Sequence, residues 1–149
     1  MAHAGPIPVE VVAHPEHAGS AQLLMQRVQA LQASGRVAVL HQPDTERSGL
    51  QAAASLEALT GACLCCTGEL AWARQLGQMV RKDHPDVIVI EAPWGADPAA
   101  LARILRQPTM RGLVRLENLC VGMPTQRNSH DEAWLLAASL VARQGAPEP

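Results

Sequence analysis

The sequence predicts an α/β fold with a mostly parallel sheet in three layers and helices on both faces, and three observations carry that expectation. Short β-branched runs alternate with segments of helical period, which is the pattern of strands joined by crossover helices. Val87-Ile-Val-Ile90 is continuously apolar, as a strand covered on both faces must be. Asp97-Pro98 then sets a capping side chain and a proline at the head of the next helix.

The elements follow in order. Residues 1–8 read as a Pro/Gly-rich flexible arm, 9–143 as one domain and 144–149 as a flexible tail. Val9 to Ala13 predicts a strand, His14 to Gly19 a turn, and Ser20 to Gln32 a helix with Leu23, Leu24, Val28 and Leu31 on one face. Val37 to Leu40 predicts the next strand, and Ser55 to Leu59 a weaker one. Trp72, Leu76, Met79 and Val80 recur at helical spacing in a helix running to about Lys82. Proline disfavours a helical conformation in the residue before it, so His84-Pro85 stops that helix. Leu101, Ile104 and Leu105 line the helix after Pro98, which ends before Pro108. Leu113 to Val121 predicts a last strand, and Ser129 with Glu132 a capping box for a helix over Asp131 to Arg143.

Composition narrows the function classes. The 149 residues are 48% hydrophobic and 17% charged, as expected of a single globular domain. The chain has no Phe and no Tyr, and Lys82 is its only lysine. A net charge of −2 without a basic block argues against nucleic acid as a partner, and the scarcity of aromatics argues against base stacking. Arg103, Arg106, Arg111 and Arg115 read as a solvated surface. No apolar run approaches the roughly 20 residues of a membrane span. The N-terminus lacks the charged start and apolar stretch of a secretory signal, so the expected location is cytoplasmic.

Three of the four cysteines fall together in Cys63-Leu-Cys65-Cys66. Adjacent Cα atoms lie about 3.8 Å apart, too close for an unstrained disulfide. A reducing compartment would keep Cys63 and Cys65 as thiols as well. The candidates are a soft-metal site, a redox site, or unliganded small hydrophobes. Metal suits the arrangement best, because the run directly precedes a helix N-terminus that favours thiolate. Zinc or another transition metal would take two or three of these cysteines and complete its shell elsewhere. His14 and His17, in the turn after the first strand, are candidate additional ligands, against the plainer reading of a surface turn. Cys120, in an apolar strand pattern, reads as core.

With this order laid out, the chain resembles the CobW-like family, P-loop GTPases related to HypB and UreG that act in metal trafficking. The matching stretches are Val11 to Leu24, Val37-Ala-Val-Leu40, Ala62-Cys-Leu-Cys-Cys66 and Val89-Ile-Glu-Ala-Pro-Trp-Gly-Ala-Asp-Pro98. The resemblance spans about residues 9–121 and implies a P-loop-NTPase-like fold. A P-loop reads G-x-x-x-x-G-K-S/T, with backbone N–H groups around the phosphates, lysine on the terminal phosphates and a hydroxyl on Mg²⁺. On that pattern His14 stands at the first glycine, Gly19 at the second, Ser20 at the lysine and Ala21 at the hydroxyl residue. Lys82, at the end of another helix, is no substitute. Glu91 keeps the acidic position of E-x-x-G, with its glycine one place late as Gly95. No Asn-Lys-x-Asp guanine-reading motif occurs.

These losses lead to the expectation of a non-hydrolysing metal-binding relative, acting as metal carrier, sensor or accessory factor, with GTP and Mg²⁺ not expected as cofactors. Gly19, Ser20, Glu91 and Asp97 are the remnants of a nucleotide site. The expected partners are the metal ion and a metal-receiving protein or full-length relative. A homodimer bridged through the thiol loop is also compatible. The alternatives are residual GTP binding or hydrolysis, with Glu91 and Asp97 polarising Mg²⁺, and a partner-binding module without metal.

Overall fold

The computed structural model describes residues 5–59, 67–123 and 128–145, with backbone only for 67–70 and 145. The strands are β1 (Ile7–Ala13), β2 (Val37–His41), β3 (Ser55–Ala58), β4 (Val87–Glu91) and β5 (Val114–Val121). The helices are α1 (His17–Gln32), α2 (Thr67–Asp83), α3 (Pro98–Arg106), α4 (Pro108–Arg111) and α5 (Ser129–Gly145). A single turn of 3₁₀ helix at Ser48–Leu50 lies between β2 and β3.

The strands form one sheet in the order β3-β2-β4-β1-β5, and every pairing is parallel. Side-chain alternation sorts the residues onto two buried faces. On one face Val12, Val37, Val39, Val87 and Val89 pack against Leu24 and Val28 of α1 and against Leu50. On the other, Val9, Val11, Leu40, Ile88 and Ile90 meet Trp72 and Leu76 of α2, Leu101 and Ile104 of α3, and Trp134 of α5. The expected three layers are therefore present, with aliphatic side chains supplying most of the core.

Local differences from the expected elements have physical causes. β1 starts two residues earlier than predicted, because Ile7 donates its N–H to Leu113 and buries its side chain. Pro108 ends α3 as expected, yet also serves as the first residue of the short α4, where its missing N–H costs nothing. His84 leaves the helical region before Pro85 by taking φ +46°. The cap of α5 sits one residue before the predicted pair. Asn128 Oδ1 accepts from Asp131 N at 2.9 Å, and Asp131 Oδ2 accepts from Asn128 N at 3.1 Å. Asp131 prevails over Glu132 because it also accepts the indole N–H of Trp94. Cys120 is half-buried beside the α1 face rather than fully enclosed.

The topology also fixes where a site can form. From β1 the chain crosses one face through α1 to β2, leaving a slot that β4 fills later. From β4 it crosses the opposite face through α3 to β5, on the far side of β1. Crossovers that leave adjacent strands on opposite faces open a crevice at the carboxyl ends of those strands. Here that crevice lies beyond Ala13 and Glu91.

Candidate functional site

Glu91 ends β4 inside this crevice and is 0% exposed. Its Oε2 accepts from Ser20 Oγ at 2.7 Å, in the first turn of α1. Its Oε1 accepts from the backbone N–H of Gln42 at 2.8 Å and from Thr45 Oγ1 at 2.5 Å, both in the segment after β2. One carboxylate thus ties together three segments that are distant in sequence, and Ser20 and Thr45 are buried around it. Among the described residues no cation pairs with it. Sequence reasoning singled out Ser20 and Glu91 but missed Gln42 and Thr45. Their place depends on β2 and β4 being neighbours in the sheet, which no local pattern encodes.

The turn between β1 and α1 is occupied by the chain's own side chain. The Nδ1 atom of His14 accepts the backbone N–H of Glu16 at 2.9 Å. Its ring lies against two glycines: a Cβ at Gly19 would come within 2.3 Å of it, and one at Gly122 within 1.9 Å. A side chain at either position would displace the imidazole from this place. In a P-loop the N–H groups of this turn point at phosphate oxygens; here an imidazole takes one of them. With Ser20 held by Glu91 and Ala21 lacking a hydroxyl, the residues present do not fit the phosphate and Mg²⁺ grip of a P-loop.

The other expected residues fall as follows. His17 Nε2 lies 3.8 Å from Asp44 Oδ2, an exposed pair spanning the β1 and β2 ends. Asp97 caps α3, accepting from Ala99 N at 3.0 Å, as its sequence context predicts. Cys63, Cys65 and Cys66 lie outside the described residues. His14 and His17 share the carboxyl edge of the sheet with the end of β3, but β4 and β2 stand between β1 and β3. At roughly 4.8 Å per strand, about 14 Å separates the two strand ends. Among the described residues no three His, Cys, Asp or Glu side chains gather as a metal site.

Two further arrangements were not legible from sequence. The loop after Glu91 is fastened to α5: Trp94 Nε1 donates to Asp131 at 2.8 Å, Trp134 Nε1 donates to the Trp94 carbonyl at 2.9 Å, and the two indoles stack. His130 Nε2 also contacts that carbonyl. The second is His41, the last residue of β2, which is 1% exposed. Its Nδ1 lies 2.6 Å from the Gln42 carbonyl oxygen, while its buried Nε2 has no hydrogen-bond partner among the described residues.

A parallel sheet of this order, with a crevice at β1 and β4 and an acidic residue closing β4, defines an α/β domain of the P-loop-NTPase type. The family profile for the CobW/HypB/UreG nucleotide-binding domain matches residues 8–130. The chain belongs to this family of GTPase-like metallochaperones. A search of curated proteins and a search of solved structures found no significant match. Among the described residues no helix is long and apolar enough to cross a membrane.

Proposed function

We propose that this chain is a metal-handling member of its family that does not hydrolyse GTP, serving as carrier, sensor or accessory factor. Cys63, Cys65 and Cys66 supply the thiolate ligands, and zinc suits them best. The observation that carries the first half of this reading is the closed crevice. Glu91 accepts from Ser20 where the family pattern has its lysine, and His14 takes a loop N–H that a phosphate would need. A phosphate about 5 Å from the Glu91 carboxylate would meet repulsion of roughly 3 kcal/mol per unit charge at an effective dielectric of 20, with no ammonium to offset it. The second half rests on donor chemistry: three thiols within four residues ahead of a helix N-terminus favour a borderline-soft ion.

The test is metal analysis of protein purified without chelator, beside the C63S/C65S/C66S variant. The expected result is close to one equivalent of metal in the wild type and loss in the variant. Less than about a tenth of an equivalent, with no proton release on Zn²⁺ titration, would sink the metal reading. The nucleotide half is tested separately. Millimolar GTP with Mg²⁺ should leave the melting temperature unchanged, whereas a Mg²⁺-dependent rise would show a working nucleotide site.

A further inference from the structure

Four arginines from three different elements meet on one surface of the fold. Arg103 and Arg106 stand in the last turn of α3, Arg111 ends α4, and Arg115 is near the start of β5. Gln107 leaves the helical region between α3 and α4, and Arg111 then lines the same cleft as Arg106 and Arg115. This cleft, of about 280 Å³, has Leu105, Val114 and Leu116 as its apolar lining. A second depression of about 480 Å³ shares Ala102 and Arg106 with it and adds Arg103.

No carboxylate lines either depression. Glu117 lies 3.3 Å from Arg115, while among the described residues Arg106 and Arg111 make no ion pair or hydrogen bond. All four arginines are exposed, on a chain whose net charge is −2. A cation in the last turn of a helix offsets the helix dipole, and Arg103, Arg106 and Arg111 each do so. That role uses their charge alone and leaves the apolar cleft between three guanidinium groups without an explanation.

The arrangement also selects a kind of ligand. The guanidinium groups are spread over two joined depressions, and no buried polar group stands at the base of either to hold one small ion. An extended chain with carboxylates spaced along it can engage them all. The planar fork of arginine matches a carboxylate through two parallel hydrogen bonds, and aliphatic side chains between the carboxylates can enter the apolar cleft. We propose that this surface of α3, α4 and β5 docks an acidic segment of a partner protein in which aliphatic residues are interspersed. The proposal is independent of the metal reading, since neither the cysteines nor the crevice at Glu91 takes part.

The test titrates the full chain into a fluorescein-labelled peptide, Glu-Glu-Leu-Glu-Glu-Leu-Glu-Glu, and follows anisotropy. Wild type should bind it, and should not bind the same peptide with Gln in place of Glu. Raising the salt from about 0.01 to about 0.15 M shortens the screening length from roughly 30 to 8 Å, so affinity should fall. R106E/R111E should bind at least about tenfold more weakly. R47E/R74E makes the same change in net charge at exposed arginines elsewhere and should keep wild-type affinity. In isotope-labelled protein the peptide should shift amide resonances within residues 102–116.

Absence of binding by wild type overturns the proposal. So does equal weakening in the two double variants, which reduces the effect to net charge, and so do shifts confined to the crevice. Tighter binding of an eight-nucleotide oligothymidylate than of the peptide would overturn it as well, by making the surface one for phosphates. Should R106E/R111E fail to fold, R106Q/R111Q against R47Q/R74Q decides by the same comparison.

Discussion

Replacing Glu91 tests whether its carboxylate is the knot of the crevice. It accepts three hydrogen bonds, at 2.7, 2.8 and 2.5 Å, while 0% exposed. Hydrogen bonds to a charged group contribute about 1.5–3 kcal/mol each, so the gross loss on Glu91→Ala is roughly 5–9 kcal/mol. Burying the carboxylate carries a desolvation penalty of several kcal/mol that the mutation relieves. The Ser20 and Thr45 hydroxyls can also turn to other partners, whereas the backbone N–H of Gln42 cannot. The expected net cost is about 3–4 kcal/mol. Glu91→Gln behaves differently: its amide oxygen can serve Gln42 and Thr45 while its NH₂ donates to Ser20 Oγ. All groups then stay paired, and the cost falls to about 1 kcal/mol. Urea unfolding reads both values. With a slope near 2 kcal/mol per M, the midpoint should drop by about 1.5–2 M for E91A and about 0.5 M for E91Q. Equal midpoints for the two variants, or an E91A midpoint within about 0.3 M of wild type, would refute this account of the crevice.

Three other expectations concern groups outside that knot. Glu10, 3% exposed in the middle of β1, accepts from Arg27 at 2.6 Å and Asn118 at 2.9 Å through one oxygen. Arg27→Ala should therefore cost about 2–4 kcal/mol by stranding a buried carboxylate, and the E10L/R27L double variant should recover most of that loss in the same urea assay. Asp131→Ala removes the acceptor of both the Trp94 indole N–H and the Asn128 backbone N–H, while Asn128 Oδ1 still caps the backbone N–H of residue 131; calorimetry should show a loss of about 2–3 kcal/mol, with a change in tryptophan emission. Burial pushes the Cys120 thiol above its ordinary range, with Glu10 adding to the rise and Arg27 opposing it. In C63S/C65S/C66S this remaining thiol should alkylate more slowly folded than in urea at pH 8, and a faster folded rate would contradict the assignment. The linked stability is present below the thiol's unfolded pKa and is lost as pH climbs through the raised folded value.

Much of the fold was legible because its information is local. The β-branched run of β4, the Asp97-Pro98 start of α3 and the Trp72–Val80 stripe of α2 each state their own conformation within a few residues. Errors arose where one residue could play two parts. Pro108 stops one helix and starts another, and both Asn128/Asp131 and Ser129/Glu132 fit a capping pattern. The candidate site was legible only in part. Ser20 and Glu91 stood out because a family pattern passes through them, and the cysteine run stood out by composition. Gln42, Thr45 and His41 carry no such mark.

The single lysine and the changed β1–α1 turn are properties of the sequence itself: no arrangement of this chain can place a lysine at Ser20. Sequence also determined the alternation of strands and helices, since backbone preference and side-chain period act over neighbouring residues. Only the tertiary structure decided which groups meet at the crevice. β4 enters between β1 and β2 after an intervening stretch of chain, and that insertion brings Glu91 against Ser20, Gln42 and Thr45. It also decided that the buried Nε2 of His41 has no hydrogen-bond partner among the described residues. Both outcomes follow from hydrogen-bond partners supplied by burial and neighbouring chain, which the order of residues along the chain does not specify.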